Sequence, residues 1–163
     1  MDRGCVFLDR DGVINERPPA GSYIGYWEEI RFIPEVVDWV RLFNLLGYLV
    51  VVVTNQRGIS RGLVSREAVE ALHRKITEHF AARGARIDDV LYCPHEENTC
   101  NCRKPKPGLL LEAQARWGID FFRSILIGDS DRDRALAKTA GLRFVLVDQG
   151  RIIETATWGG DDA

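Results

Sequence analysis

The run Leu49-Val50-Val51-Val52-Val53 is the feature that most constrains how this chain folds. β-Branched residues favour extended backbone, and an apolar run without polar alternation describes a strand covered on both faces. Such a strand lies inside a parallel sheet with helices packed on either side. Further strand-like runs fall at 5–9, 89–93, 124–128 and 143–147, and helix-like segments at 34–46, 65–83, 108–117 and 131–140 lie between them. Pro34 suits a first helical turn, Gly47 a helix exit and Ser65 an N-cap. This alternation predicts right-handed crossovers and a three-layer, Rossmann-like α/β fold. At 163 residues the chain reads as one domain, 1–163, large enough to bury a core without staples. Residues after Ile152 read as a loosely held tail.

Charge and cysteine usage narrow the function classes. The formal net charge of −2 offers no footprint for nucleic acid or an anionic membrane, and no apolar run approaches a membrane span. Met1-Asp2-Arg3-Gly4 leads straight into the first strand, so no signal peptide is expected and a cytosolic location is the default. In that setting Cys93, Cys100 and Cys102, within ten residues, read as metal ligands rather than disulfide partners. Cys5, inside an apolar strand, reads as a small core residue.

Chemistry concentrates where the strands end. Asp9-Arg10-Asp11-Gly12 pushes two carboxylates out of the first strand, one able to act as nucleophile and the other to move a proton. A calcium loop also uses Asp-x-Asp-Gly, but Val13, Ile14, Arg17, Pro18 and Pro19 do not continue its ligand series. Thr54 and Asn55 place a hydroxyl and an amide at the end of the second strand, both suited to phosphate oxygens. Asp129 repeats the pattern after Gly128. If its strand neighbours the first, the converging carboxylates need a cation, and Mg²⁺ prefers such oxygens. Arg103, Lys104 and Lys106 precede a helix start, a combination favourable to phosphate. Cys93, His95, Cys100 and Cys102 make a full tetrahedral set for Zn²⁺, which implies a structural site bracing the loop that carries Arg103 and Lys104. His73 and His79, six apart, read as surface or packing residues.

In this order, Asp9-x-Asp11, Thr54, Lys104 and Gly128-Asp129-x-x-x-Asp133 resemble the four motifs of the haloacid dehalogenase (HAD) superfamily of phosphatases, over nearly the whole chain. The resemblance implies an aspartyl-phosphate mechanism. Asp9 would be the nucleophile and Asp11 the acid and base, with Thr54 and Lys104 on the phosphoryl oxygens. Asp9, the Asp11 carbonyl and Asp129 would hold Mg²⁺.

The Cys-Pro-His…Cys-x-Cys-Arg-Lys-Pro loop, with Thr54-Asn55-Gln56-x-Gly58-Ile59-x-Arg61-Gly62, is similar to the D-glycero-D-manno-heptose-1,7-bisphosphate phosphatases. Their relatives, the histidinol-phosphate phosphatases, share the zinc loop and give the alternative substrate. Both groups lack a cap domain, and this chain has no insert long enough for one. Specificity would then rest on loops 15–32 and 56–61 and on the zinc loop, with Asn15, Asn55, Arg57, Arg61 and Arg103 as substrate-binding residues. The resemblance implies a phosphorylated sugar as the partner, no nucleic acid or membrane, and a monomer. Two departures touch the substrate face. Family members often carry a basic residue where Ser130 follows Asp129, and the stretch between His95 and Cys100 is short.

Overall fold

The apolar run lies in β2 (Leu49–Asn55), between β1 (Cys5–Leu8) and β3 (Asp89–Cys93), all parallel. β4 (Ile125–Gly128) pairs in parallel with the free side of β1, and β5 (Arg143–Asp148) with β4. β6 (Arg151–Ala156) closes the edge antiparallel to β5, giving the order β3-β2-β1-β4-β5-β6. The computed structural model describes residues 2–158.

Strand pleating sorts the apolar side chains into two layers. Val6, Leu8, Val50 and Val52 face α1 (Glu35–Leu45) and α2 (Arg66–Ala81), which contribute Val36, Val40, Leu72, Ile76 and Phe80. Cys5, Phe7, Leu49, Val51 and Val53 face α3 (Gly108–Trp117) and α4 (Asp131–Ala140), which contribute Leu109, Leu110, Ala113, Leu136 and Ala137. A fully buried Val or Leu contributes roughly 1.5–3 kcal/mol, so these cores rather than helix propensity hold the layers. Cys5 is a core residue, as expected.

The expected segments match the observed elements to within two residues at either end, and Ser65 caps α2 by accepting from the Ala68 N–H at 3.0 Å. The tail reading is corrected for 153–156, which belong to β6; residues 159–163 lie outside the described residues. Gln149 (φ 46°) and Gly150 (φ 81°) turn the chain back in a two-residue hairpin. Arg134 then ties β6 to α4 through two hydrogen bonds to Glu154. In the loop after Asn15, Tyr26 is 59% exposed, Ile24 and Ile30 are buried, and Trp27 packs against Phe32 and His79.

The crossovers run from β1 toward β3 and then return to β4, on the other side of β1. This reversal opens a crevice at the carboxyl ends of β1 and β4, where open α/β sheets bind ligands. Among the described residues no helix is long and apolar enough to cross a membrane.

Candidate active site

The ladder continues one residue past β1, where the Asp9 N–H donates to the Ile127 carbonyl at 3.1 Å, so Asp9 leaves the sheet in a fixed direction. The Gly12 N–H then folds back onto the Asn15 carbonyl at 2.7 Å. Gly12 has φ 93°, and a Cβ there would lie 1.7 Å from Asp129 Oδ2. Only glycine permits both that backbone and that approach of the two carboxylate loops.

Lys104 Nζ sits between Asp9 Oδ1 (3.0 Å) and Asp133 Oδ1 (2.8 Å), nearly out of contact with water. Asp133, in the first turn of α4, accepts at Oδ2 from Ser130 Oγ (2.9 Å) and the Asp129 N–H (3.3 Å). Gly128 makes room for it, since a Cβ there would fall 2.4 Å from Asp133 Cβ. Ser130 caps α4, which explains a short hydroxyl where the resembling family often has a base. Burial pushes the Asp9 carboxyl well above its usual range, against Lys104 and with Asp133, Asp129 and Asp11 adding repulsion. Asp133 and Asp9 raise the Lys104 ammonium despite its desolvation.

Asp11 is held from below. Arg10 is fully buried and gives Nε to Asp11 Oδ1 (3.0 Å), Nη2 to Oδ2 (3.1 Å) and Nη2 to the Ile24 carbonyl (3.2 Å). Its Nη1 faces His73 Nε2 at 3.1 Å. Asn15 Nδ2 and Gln56 Nε2 add hydrogen bonds to Asp11 at 3.0 and 3.2 Å, and Gln56 Nε2 also reaches Thr54 Oγ1 at 3.0 Å. Against its desolvation, the Arg10 charge and these bonds hold the Asp11 carboxyl below its usual value.

A cavity of about 410 Å³ brings together Asp9, Asp11, Thr54, Asn55, Lys104 and Asp129, with Arg17 and Arg132 on its rim. Of the expected substrate contacts, Asn15 is fully buried and donates Nδ2 to Asp11, while Asn55 lines the cavity and clamps Lys104 through both backbone groups, at 3.0 and 3.2 Å. Arg57 bonds Tyr23 Oη and Glu96, Arg61 bonds Glu96, and Arg103 is buried beside Lys104. Asp133 was expected as part of the fourth motif but without a role, and three contributors were given none: Arg10 and Gln56, which lie within or directly beside the motifs, and Arg17, which bonds Asp129 at 3.0 Å and carried no signal.

Asp9, Asp129 and Asp133 have oxygens within 4.8 Å of one another, a hard donor set that fits Mg²⁺. Asp133 also serves Lys104, Ser130 and a backbone N–H. Cys93, His95, Cys100 and Cys102 form a second cluster. Its edges are 3.6 Å (Cys93–Cys100), 3.5 Å (Cys93–His95) and 3.2 Å (His95–Cys102). Bonds of about 2.3 Å in a tetrahedron set sulfurs about 3.8 Å apart, so a thiophilic dication fits. Burial pushes the Cys93 and Cys102 thiols up, with the Cys100 sulfur adding to both. Cys100, against its desolvation, is held down to about 6 by the Arg103 N–H.

A HAD-hydrolase-like family model matches residues 101–157. The D-glycero-beta-D-manno-heptose-1,7-bisphosphate 7-phosphatase of Rhodopseudomonas palustris is 43% identical over 148 residues, spanning 86% of this chain and 81% of that protein. A D-glycero-alpha-D-manno-heptose-1,7-bisphosphate 7-phosphatase of Mycobacterium tuberculosis is 39% identical, over 82% of this chain and 70% of that protein. The crystal structure of D,D-heptose 1,7-bisphosphate phosphatase from B. bronchiseptica, complexed with magnesium and phosphate, superposes with a TM-score of 0.83 at 30% identity, covering 97% of this chain and 93% of its own. With this fold and relatives of this identity and coverage, the chain belongs to the heptose-1,7-bisphosphate 7-phosphatase family of HAD-like hydrolases.

Proposed function

We propose that this chain is a Mg²⁺-dependent phosphatase that hydrolyses the C7 phosphate of D-glycero-D-manno-heptose 1,7-bisphosphate through an aspartyl-phosphate. The observation that carries the chemistry is Lys104 Nζ, 3.0 Å from Asp9 and facing the cavity that Thr54 and Asp129 share. Asp9, Asp129 and the Asp11 carbonyl would hold Mg²⁺, which would supply charge neutralisation on the phosphoryl oxygens.

The chain's own residues do the rest. Lys104 and the Thr54 hydroxyl orient the phosphoryl group so that Asp9 attacks phosphorus in line. Asp11, a carboxylate in the free site, takes up a proton as substrate binds and gives it to the departing sugar oxygen. It then takes a proton from the water that attacks the aspartyl-phosphate, releasing inorganic phosphate and restoring Asp9. The Cys₃His cluster, read as a Zn²⁺ site, keeps the 94–107 loop in shape so that Lys104 reaches Asp9. The four free cysteines support a reducing, cytosolic setting for such a site.

For the substrate, the relatives' names carry both anomers, so the reading stops at the heptose skeleton. Histidinol phosphate, an amine, calls for a carboxylate left open near the 15–32 loop. There the Glu29 carboxylate is turned onto the Gly25 and Tyr26 N–H groups, while Glu16 and Asp131 stand beside Arg17 and Arg132, so it is the relatives' names that favour the bisphosphate. Phosphate release with Mg²⁺ from the two substrates side by side tests this. The expected kcat/KM preference for the bisphosphate is about tenfold to a hundredfold, the scale of one or two charge-assisted contacts. A preference for histidinol phosphate reverses the substrate, and turnover of neither overturns the enzyme reading. Asp9→Asn is expected to abolish turnover and leave the fold intact.

A further inference from the structure

Four carboxylates meet at the carboxyl ends of β1 and β4, and each has a cation of this chain beside it. Arg10 holds Asp11, Lys104 lies between Asp9 and Asp133, and Arg17 holds Asp129. Arg10 and Lys104 are buried, whereas the Arg17 side chain is 60% exposed, on the loop that follows β1. Its Nε (3.0 Å) and its Nη2 both end on Asp129 Oδ2, the oxygen that lies against Gly12. Two donors on one oxygen forgo the two-oxygen fork that makes arginine–carboxylate pairs strong. Ion pairs this exposed add little to stability, so holding the fold is not what this contact is for.

The balance of charges gives Arg17 another use. Four carboxylates against three cations leave one formal negative charge, and a dication added to that set overshoots to one positive. With Arg17 withdrawn, two negative charges remain, which a dication neutralises. Asp129 offers its carboxylate to the cluster that fits Mg²⁺, so the metal and Arg17 compete for one group. Arg17 also has room to leave. It lines the catalytic cavity beside Thr54 and Lys104, and two adjoining cavities of about 670 and 340 Å³. The Glu16 N–H is tied to the Arg31 carbonyl at 2.8 Å, and Pro18 and Pro19 restrict the backbone, so the side chain makes the move.

We propose that Arg17 is a gate on the metal seat: it covers Asp129 until that carboxylate passes to Mg²⁺, and then turns its guanidinium onto the phosphoryl group in the catalytic cavity. The proposal rests on the Mg²⁺ reading above and not on the identity of the sugar. Once the carboxylates are neutralised, a phosphate dianion is the strongest anion facing Arg17, and the guanidinium fork matches two of its oxygens. Arg17 thereby couples the two ligands. Metal binding frees the arginine that phosphate uses, and phosphate draws off the arginine that competes with the metal, so each strengthens the other.

The test titrates Mg²⁺ into wild type and Arg17→Gln by calorimetry, and then inorganic phosphate into each at saturating Mg²⁺, with thermal midpoints as the check on folding. Arg17→Gln is expected to bind Mg²⁺ several-fold more tightly, because the competing cation is gone. It is expected to bind phosphate about tenfold more weakly, the scale of one charge-assisted contact. Unchanged or weakened Mg²⁺ binding in Arg17→Gln overturns the gate. Unchanged or tightened phosphate binding overturns the turn onto the phosphoryl group. A wild type that binds no Mg²⁺ overturns the metal reading and the gate together, a result distinct from the variant's failure.

Discussion

Arg10 and Asp11 are adjacent in sequence and ion-paired in space, with both Asp11 oxygens engaged by a guanidinium that has no exposure to water. The fork geometry suits arginine alone, because lysine presents a single point charge. Arg10→Met leaves a buried carboxylate uncompensated. The expected cost is about 3–5 kcal/mol in urea unfolding, together with a large fall in kcat. Arg10→Lys is expected to fall between the two, and wild-type kcat in Arg10→Met would sink the positioning role.

The same arginine makes His73 a source of pH dependence. Burial, then the Arg10 charge, lowers the His73 imidazole from 6.5 to about 3, and Nε2 must stay unprotonated to accept from Arg10. The unfolded chain therefore binds more protons than the folded one between those values. Stability is complete above about pH 6.5 and declines as pH falls toward about 3, by at most about 1.4 kcal/mol per pH unit from this group. In His73→Gln, whose amide oxygen can still accept, unfolding free energies across pH 4–6.5 are expected to show a shallower slope than wild type.

At Gly12 the expected effect is on the metal. Gly12→Ala adds a Cβ in the path of Asp129 Oδ2 and strains a φ of 93°, at about 1–2 kcal/mol for the backbone alone. Displacing Asp129 is expected to raise the Mg²⁺ concentration for half-maximal binding, measured by calorimetry, about tenfold or more. Unaltered Mg²⁺ affinity would show that the two carboxylate loops do not need this close contact.

Loss of the second metal is expected to act through Lys104. Elemental analysis of the purified protein should find about one Zn²⁺ per chain, and Cys102→Ala should lose it. Protease cleavage within 94–107 should then become faster while the rest of the fold persists, and turnover should drop because Lys104 is no longer held beside Asp9. A zinc-free variant with full activity would remove the bracing role.

How much of this was legible beforehand depended on distance along the chain. The strand at 89–93 and the helices at 108–117 and 131–140 were read residue for residue, because apolar period and turn residues act over a few positions. The Cys93–Cys102 cluster was equally plain, since its ligands lie within one loop. Edge strand β6 was missed because an exposed strand has no buried face to impose alternation, and Gln149-Gly150 is a weaker hairpin signal than Asn-Gly. That Asn15 holds Asp11 and Asn55 holds Lys104 was not legible, because an amide's partner cannot be inferred from its type.

By itself the sequence determined the layered α/β fold, the acidic strand ends and the thiol cluster, all consequences of local backbone preference and burial. Only the tertiary structure decided which charges meet. His73 reaches Arg10 across 63 positions and Arg17 reaches Asp129 across 112, and Glu97 stands among arginines drawn from three separate segments. Those encounters follow from the strand order, which brings β1 and β4 side by side and folds their loops over one crevice. Coulombic and hydrogen-bonding partners are chosen by distance in space, a quantity that spacing along a chain does not contain.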